Sequence, residues 1–388
     1  MSIFTTKEYK DRLLKTKRSM ADKGIDVLLV SDPANMNYLS GYDAWAFYVH
    51  QLLIVTLDED EPIWIGRIID ETAAQFTTYL EHKNIIPYPD DHVHSTTKHP
   101  MDVVATFLEE RNLENKVIAA EFDAYYFTAK NYLQLTKRLP NARFVDGTNI
   151  VNWIRIIKSD QEIQLIKKAA KIASAAMKKG IEKINTGVRQ CDAVADIVHR
   201  QISGVENFGG DYTSIVPLLP TGERTNACHL TWTDEPFKKG PVIIELAGCY
   251  ERYHSPLART LVIGEPTKEM EALAFAAVEG INKALEMIKP GVTCAEIEAT
   301  WRMSIQKRGF EKESRIGYST GLNYPPDWGE HTASLRPGDQ TILQPNMVFH
   351  MIPGIWLNSY GVEISETFIV TENGCEVLSD VERKLFIK

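Results

Sequence analysis

The feature that most constrains the fold is a sharp helix start in the middle of the chain, within KSDQEIQLIKKAAKIASAAM. Ser159 followed by Glu162 has the spacing of a capping box, in which each side chain accepts a hydrogen bond from the backbone of the other. Apolar residues then recur at helical spacing, at Ile163, Ile166, Ala170, Ala173 and Met177. Such a start predicts a domain boundary, with one domain over residues 1–155 and a second over residues 156–388.

Short β-rich runs alternate with helical patterns in the first domain, which predicts an α/β domain. A helix over residues 6–23 is closed by Gly24, and residues 141–153 are predicted to form the last strand and the exit from the domain. The predicted strands are residues 26–30, 51–57, 62–66 and 117–121.

The second domain combines long helices with longer β-rich stretches. Helices are predicted over residues 267–288, which end before a Pro-Gly pair, and over 295–308, which end at Gly309. The predicted strands are residues 241–247, 258–263, 347–352 and 362–370. This pattern predicts an α+β domain in which the helices lie outside a bent sheet.

Composition and charge exclude several classes of protein. The 388 residues carry a net charge of -9 without a long Lys or Arg run, so no nucleic-acid footprint or anionic-membrane patch is expected. The N-terminus lacks the apolar core of a signal peptide, and no apolar run approaches the roughly 20 residues of a membrane span. Five cysteines without a CxxC pair fit reduced thiols in a cytoplasmic protein.

Several ordered blocks resemble the creatinase, prolidase and aminopeptidase P family. They include RIIKSDQEIQLIKKAA, PTGERTNACH, IIELAGCYERYHSPLARTL, GYSTGLNYPP and GVEISETFIV. The resemblance spans the chain from about residue 155 and implies a pita-bread fold there. The expected fold class is therefore an α/β N-terminal domain followed by an α+β pita-bread C-terminal domain.

The metallopeptidases of that family hold two metal ions with Asp, Asp, His, Glu and Glu. In this chain, the five matching positions are Glu245, Pro256, Tyr318, Ile352 and Ser365. Proline and isoleucine carry no side-chain donor, and hard divalent ions need oxygen or imidazole ligands. The resemblance, once these positions are compared, implies a branch without a metal or other cofactor.

Without a metal, the groups that activate water must be side chains. His229 of NACHLTW falls on the central histidine of creatinase, a metal-free member, so the resemblance implies that it is a catalytic base. The alternative is a hydrogen-bonded core histidine at the end of a strand.

Glu245 lies within PVIIELAG, a run typical of a buried strand. A buried carboxylate is costly unless it is paired, protonated or used in catalysis. A cationic amidinium or guanidinium substrate would supply a partner, and Glu245 would attack its carbon or orient the water that does. The alternative is a structural ion pair with a residue such as Arg259.

Other polar and aromatic residues are candidate substrate contacts. Strand alternation puts Glu363 and Ser365 on one face and Glu366 on the other, which favours Glu363 as the clamp for a substrate nitrogen. The remaining candidates are Tyr318, His254, His331 and His350, then Arg224 and Asn226 as donors to a substrate carboxylate, and the aromatic residues Trp45, Phe47 and Tyr48. Each of these could instead be an ordinary core or surface residue.

Within the family, the acid at Glu245 departs from creatinase and resembles the branch that hydrolyses ectoine, a cyclic amidine with a carboxylate. The expected activity is the opening of ectoine, or of hydroxyectoine, to N-acetyl-diaminobutyrate. The alternatives are a creatinase-type guanidinium hydrolase and a non-catalytic protein that uses the cleft for binding; the missing ligands argue against an Xaa-Pro peptidase. The family also implies a homodimer, and a deacetylase acting on the product would be a downstream partner.

Overall fold

A computed structural model describes residues 3–388 of the chain. The chain divides into two compact units, Met1–Arg155 and Ile156–Lys388. Within the described residues, no helix combines the length and the apolar character that crossing a membrane requires.

The described part of the first unit, residues 3–155, contains six α-helices and six strands that mostly alternate along the chain. The helices are α1 (Thr6–Asp22), α2 (Pro33–Ser40), α3 (Glu71–Thr77), α4 (Pro100–Glu110), α5 (Ala129–Arg138) and α6 (Ile150–Arg155). The strands are β1 (Val27–Val30), β2 (Leu52–Thr56), β3 (Ile63–Arg67), β4 (Ile85–Tyr88), β5 (Val117–Ala120) and β6 (Arg143–Asp146).

These strands form one mixed sheet in the order β4-β3-β2-β1-β5-β6. The α/β prediction is confirmed, since helices alternate with strands around this sheet. Strand β4 has no counterpart in the sequence prediction, because its short IIPY segment contains a proline and lacks alternation. The predicted exit over residues 141–153 is a strand, β6, followed by the start of helix α6.

The second unit contains four helices and ten strands. The helices are α7 (Asp160–Lys183), α8 (Gln190–Ser203), α9 (Lys268–Met287) and α10 (Cys294–Gln306). The strands are β7 (Gly240–Tyr250), β8 (Tyr253–Ile263), β9 (Gly317–Thr320), β10 (Gly329–Leu335), β11 (Val348–Met351), β12 (Ile355–Trp356), β13 (Gly361–Val362), β14 (Glu366–Val370), β15 (Cys375–Val377) and β16 (Phe386–Ile387).

Helix α7 begins at the predicted capping box, because Ser159 and Glu162 accept hydrogen bonds from each other's backbone N–H. It packs against strand β7 at Gly248, where an added Cβ would lie 1.9 Å from the carbonyl oxygen of Ala169. Only glycine allows this approach, so helix and strand are held at backbone contact distance. The long hairpin of β7 and β8 is thereby fixed from one side.

Two sheets meet where β8 contacts the chain segment between β13 and β14. The Thr260 hydroxyl accepts a hydrogen bond from the Glu363 N–H and donates one to the Glu363 carbonyl, both at 2.8 Å. Two residues on, the Ser365 N–H donates to the Ala258 carbonyl at 3.1 Å, and the Ala258 N–H donates to the Ser365 hydroxyl at 2.6 Å. This junction places Glu363 and Ser365 beside the face of the hairpin that carries Glu245.

Candidate active site

Glu245 lies in the middle of strand β7, directly opposite Ala258 of β8. Its backbone is also paired on the other side, where its N–H and carbonyl both bond to Leu218. The side chain is 4% exposed. A carboxyl group is thus held on a rigid, doubly paired strand in the interior of the second unit.

Glu363 is the second acid of the site. It is fully buried, and neither of its carboxylate oxygens has a hydrogen-bond partner within residues 3–388. Buried polar atoms without partners are rare in folded proteins, and each calls for an explanation such as a bound ligand, a water molecule or a catalytic role. Glu363 therefore has two oxygens that are free to bind a ligand.

Both acids of the site bind a proton more tightly than ordinary carboxyl groups do. Burial raises the pKa of Glu245 well above its ordinary value, and the charge of Glu363 raises that pKa further. Burial also raises the pKa of Glu363, to about 7, against the opposing effect of Lys312. The pair consequently holds a proton at neutral pH, which gives the site one proton donor and one acceptor.

Lys312 is a nearby cation that the sequence analysis missed. Its side chain is buried, its ammonium donates to the Gly354 carbonyl at 2.7 Å, and it lies 4.0 Å from the ring centre of Trp356. Burial lowers its pKa to about 8, while Glu363 raises it. Lys312 lies in a loop without a periodic pattern, so nothing in the sequence distinguishes it from a surface lysine.

A chain of hydrogen bonds borders the acid pair. The Trp328 indole N–H donates to the Tyr318 hydroxyl at 2.7 Å, and that hydroxyl bonds to His350 Nδ1 at 3.1 Å. His350 Nε2 bonds to the Ser365 hydroxyl at 2.8 Å. Burial lowers the pKa of His350 to about 3, so its imidazole is neutral near pH 7.

Tyr318 connects this chain to the acids. Burial raises its pKa well above the ordinary value, and the charge of Glu245 raises it further, so the phenol stays protonated. Arg315 lies over the Tyr318 ring, with its guanidinium carbon 4.5 Å from the ring centre. The site thus combines a pair of carboxyl groups with a neutral hydroxyl and a neutral imidazole. Two cations, Lys312 and Arg315, lie at its border.

The comparisons with known proteins agree with this fold. Residues 164–372 match the model of metallopeptidase family M24, and residues 12–157 match that of the creatinase/prolidase N-terminal domain. The chain belongs to the M24 family. Its fold is the pita-bread fold, as predicted, because a prolidase structure from Thermococcus sibiricus matches it with a TM-score of 0.85 at 23% identity, over 98% of this chain and 99% of that one.

Two curated relatives of this M24 protein match almost its full length. The ectoine hydrolase of Halomonas elongata is 46% identical, with 99% of this chain and 98% of the relative covered. An uncharacterized hydrolase/peptidase of Sinorhizobium fredii is 44% identical with the same coverage. The chain is accordingly a hydrolase, and the recognition of its family from sequence is confirmed.

The residues at the metal-ligand positions of the M24 family do not fit a two-metal centre. Pro256 and Ile352 have no donor atoms, the Tyr318 hydroxyl is bonded to Trp328 and His350, and the Ser365 hydroxyl is bonded to His350 and Ala258. No group of three or more His, Cys, Asp or Glu side chains in residues 3–388 is arranged to hold a metal ion.

Arg259, the cation considered as a structural partner of Glu245, pairs with a different acid. Its guanidinium bonds to the carboxylate of Glu366 at 2.6 Å and is fully buried with it. Glu366 thus has the structural ion pair that was considered for Glu245. The alternation argument also holds, because Glu363 and Ser365 face the site whereas Glu366 points to Arg259.

The loop that carries three predicted residues lies at the solvent-exposed side of the site. Arg224, Asn226 and His229 are exposed, and Asn226 donates to the Asn358 carbonyl at 3.0 Å. Cys228 is half-buried, and burial, Glu363 and Glu245 raise its pKa. The acid pair is therefore close to Cys228, whereas its neighbour His229 faces solvent.

Two of the predicted histidines are bonded within the protein. His254 is buried; its Nε2 accepts the Ser214 N–H at 2.9 Å, and its Nδ1 lies 3.0 Å from the Arg252 carbonyl. Both ring nitrogens of His254 therefore have partners within the protein, and its contact with substrate stays a prediction. His331 is partly exposed and bonds to Asp327 at 2.7 Å.

The predicted aromatic patch lies in the first unit. Trp45 and Tyr48 are exposed, and the rings of Trp45 and Phe47 are 4.8 Å apart. Their contact with substrate stays a prediction.

Proposed function

We propose that this chain is a metal-independent hydrolase that opens the cyclic amidine of ectoine, or of hydroxyectoine, to N-acetyl-diaminobutyrate. The observation that carries the proposal is the buried pair of Glu245 and Glu363, which lacks the neighbouring ligands of a two-metal centre. The similarity to the Halomonas elongata ectoine hydrolase supports the substrate.

An amidinium cation fits this pair electrostatically. Its planar N–C–N unit is positively charged and can donate hydrogen bonds to both carboxylates, including the unpartnered oxygens of Glu363. Because the carbon of an amidinium is already electron-poor, no metal ion is required to polarise it. Two metal ions would repel such a substrate at close range.

Glu245 is the proposed centre of the chemistry. Held on strand β7, it either removes a proton from the attacking water or attacks the amidinium carbon itself. We assign the exposed His229 a secondary role as the group that exchanges protons between the site and solvent. This revises its predicted role as the water-activating base, because its ring faces solvent while Cys228 lies beside the acids.

The carboxylate of the substrate requires a cationic partner. Arg315, over the Tyr318 ring, is the proposed partner, since a guanidinium binds a carboxylate with two parallel hydrogen bonds. Arg224 stays a candidate from the exposed loop. We also expect a homodimer, a cytoplasmic location and a separate deacetylase that consumes the product.

Proton NMR of EDTA-treated protein incubated with ectoine tests this proposal, with creatine and a Gly-Pro dipeptide in parallel tubes. Signals of N-acetyl-diaminobutyrate in the ectoine tube alone would support it, and the Glu245→Gln variant should then lose activity by a factor of about 100 to 10,000. Turnover of creatine alone would favour a guanidinium hydrolase. Silence in all three tubes would contradict a hydrolase of these substrates.

A further inference from the structure

The hydrogen-bond chain that borders the acid pair has two ends whose direction is fixed. At one end the Trp328 indole, which can only donate, gives its N–H to the Tyr318 hydroxyl at 2.7 Å. At the other end the backbone N–H of Ala258 donates to the Ser365 hydroxyl at 2.6 Å. Each hydroxyl oxygen therefore accepts one bond from a group at its end of the chain, and His350 joins the two oxygens.

His350 makes two links, one through each ring nitrogen. Its Nδ1 lies 3.1 Å from the Tyr318 hydroxyl, and its Nε2 lies 2.8 Å from the Ser365 hydroxyl. The first link is built into the sheet, because strands β9 and β11 pair Tyr318 directly with His350. The imidazole is fully buried and both of its partners are uncharged, so the ring is neutral and carries one N–H.

A count of protons shows that one hydroxyl proton is left over. The two links need one proton each, whereas the two hydroxyls and the neutral ring of His350 supply three. The ring proton must lie in one of the links, because both ring nitrogens are engaged. One hydroxyl therefore donates to the ring, and the other must direct its proton elsewhere.

Burial decides between the two hydroxyls. Within residues 3–388, neither hydroxyl has a further hydrogen-bond partner. Ser365 is fully buried beside strand β8, so a spare proton there would be left unsatisfied. Tyr318 is only half-buried, and its spare proton can bond to a water molecule or to a ligand. The favoured arrangement thus has the N–H of His350 on Nδ1 and leaves the Tyr318 hydroxyl as a donor.

The proposed substrate offers this donor one kind of acceptor. The amidinium of ectoine carries only N–H groups, which cannot accept a hydrogen bond, whereas its carboxylate carries only acceptors. Arg315, the cation proposed to bind that carboxylate, has its guanidinium carbon 4.5 Å from the centre of the Tyr318 ring. The acids and the hydroxyl therefore distinguish the two ends of the substrate, because the acids accept hydrogen bonds and the hydroxyl donates one.

We propose that the Tyr318 hydroxyl donates a hydrogen bond to the carboxylate of the substrate, beside Arg315, and that His350 is the positioning residue that holds the hydroxyl in this direction. This inference deepens the proposed function and rests on it. No proton is transferred in this contact, because burial and the charge of Glu245 raise the pKa of Tyr318 and keep the phenol protonated. Tyr318 thereby determines specificity for cyclic amidines that carry a carboxylate.

The first measurement requires no turnover. Nitrogen NMR of the full-length protein, isotope-labelled at the histidine ring nitrogens, reports which nitrogen of His350 carries the proton, and the His350→Gln variant assigns its signals. We expect the proton on Nδ1. A proton on Nε2 would mean that the Tyr318 hydroxyl donates to the ring, and it would overturn the inference whether or not ectoine is a substrate.

The second measurement compares ectoine with the methyl-substituted tetrahydropyrimidine that lacks only its carboxylate. Tyr318→Phe should lower kcat/KM for ectoine by about 10- to 100-fold, as expected for a hydrogen bond to a charged group, and change kcat/KM for the analogue by less than about twofold. If the wild type does not turn over the analogue, its inhibition constant against ectoine takes the place of kcat/KM. Arg315→Met should show the same selectivity, and Tyr132→Phe on the exposed side of helix α5 is the matched control.

The outcomes separate this inference from the proposed function. Equal losses for ectoine and the analogue in Tyr318→Phe would overturn the carboxylate contact and leave the proposed function intact, because the hydroxyl would then act at the amidine or only on the structure. Lack of ectoine turnover by the wild type would remove the proposed function and the contact with it. A proton on Nδ1 of His350 would still support the direction of the Tyr318 hydroxyl in that case.

Discussion

Glu363 and Glu366 are three residues apart and both are buried, yet Glu366 is bonded to Arg259 at 2.6 Å whereas the oxygens of Glu363 have no hydrogen-bond partner in residues 3–388. Alternation along the extended chain turns one side chain toward the acid pair and the other toward the ion pair. The same residue type thus serves two purposes within one short segment. Glu366 holds the C-terminal segment to strand β8, and Glu363 remains available for its proposed role in the site.

Removal of the carboxylate should therefore destabilise the protein strongly at Glu366 and little at Glu363. Glu366→Gln leaves the Arg259 guanidinium buried with hydrogen bonds but no counter-charge, and we expect a loss of about 3–5 kcal/mol in the free energy of unfolding. Glu363→Gln removes no ion pair and should change that free energy by no more than about 1 kcal/mol near pH 5. Urea unfolding of both variants measures the contrast, and equal losses would contradict the division of roles.

The raised pKa of Glu363 predicts how stability depends on pH. In the unfolded chain the pKa of a glutamic acid is about 4.3. Well below that pH, Glu363 is protonated in both the folded and the unfolded state, so it does not change the free energy of unfolding. As the pH rises toward about 7, the unfolded chain ionises first and the folded protein loses stability. Above that pH the loss is complete.

Glu363→Gln should abolish this part of the pH dependence. From about pH 4.5 to pH 8, the wild type should lose roughly 3 kcal/mol more free energy of unfolding than the variant. Thermal or urea unfolding of both proteins across this range measures it, with Glu286→Gln on the exposed side of helix α9 as the matched control. Parallel curves for wild type and Glu363→Gln would show that Glu363 ionises normally in the folded protein.

His229 can be tested against another exposed histidine. If it exchanges protons with solvent, His229→Ala should slow turnover by about tenfold, and a small imidazole or phosphate buffer should restore much of the rate. His199→Ala, an exposed histidine on helix α8, should have no effect. A loss of more than a thousandfold that buffer does not rescue would instead support the original prediction that His229 activates the water.

Much of the fold was predictable because the local sequence patterns agree with the helices and strands that tertiary packing stabilises. The capping box at Ser159 and Glu162 fixed the start of helix α7 to the residue, and helix α9 differs from its predicted range by one residue at each end. Strands β7 and β8 were predicted too short, because their outer ends are polar or contain glycine and are held by pairing across the hairpin.

The site was predictable where a residue contradicts its local pattern. Glu245 stands out as an acid in an apolar strand, and Glu363 follows from alternation once a neighbouring position is aligned with the family. Lys312 could not be predicted, because its burial depends on Gly354 and Trp356 more than 40 residues away. The hydrogen bond of His254 to Ser214 could not be predicted for the same reason, since the two residues are distant in sequence.

The donor atoms of the site predict that chelators leave activity intact. Pro256 and Ile352 offer no ligand, and the hydroxyls of Tyr318 and Ser365 are bonded within the protein. Turnover of ectoine should stay within about twofold of the untreated rate after dialysis against EDTA, because no Lewis acid takes part in the proposed steps. Added Mn²⁺ or Co²⁺ should not raise the rate, and should lower it if the ion is drawn to the carboxylate pair and competes with the amidinium.

A prolidase treated in parallel provides the positive control for metal removal. Loss of turnover on chelation, with recovery when one of these ions is added, would contradict this prediction. It would require a metal site that the residues at the five family positions do not form.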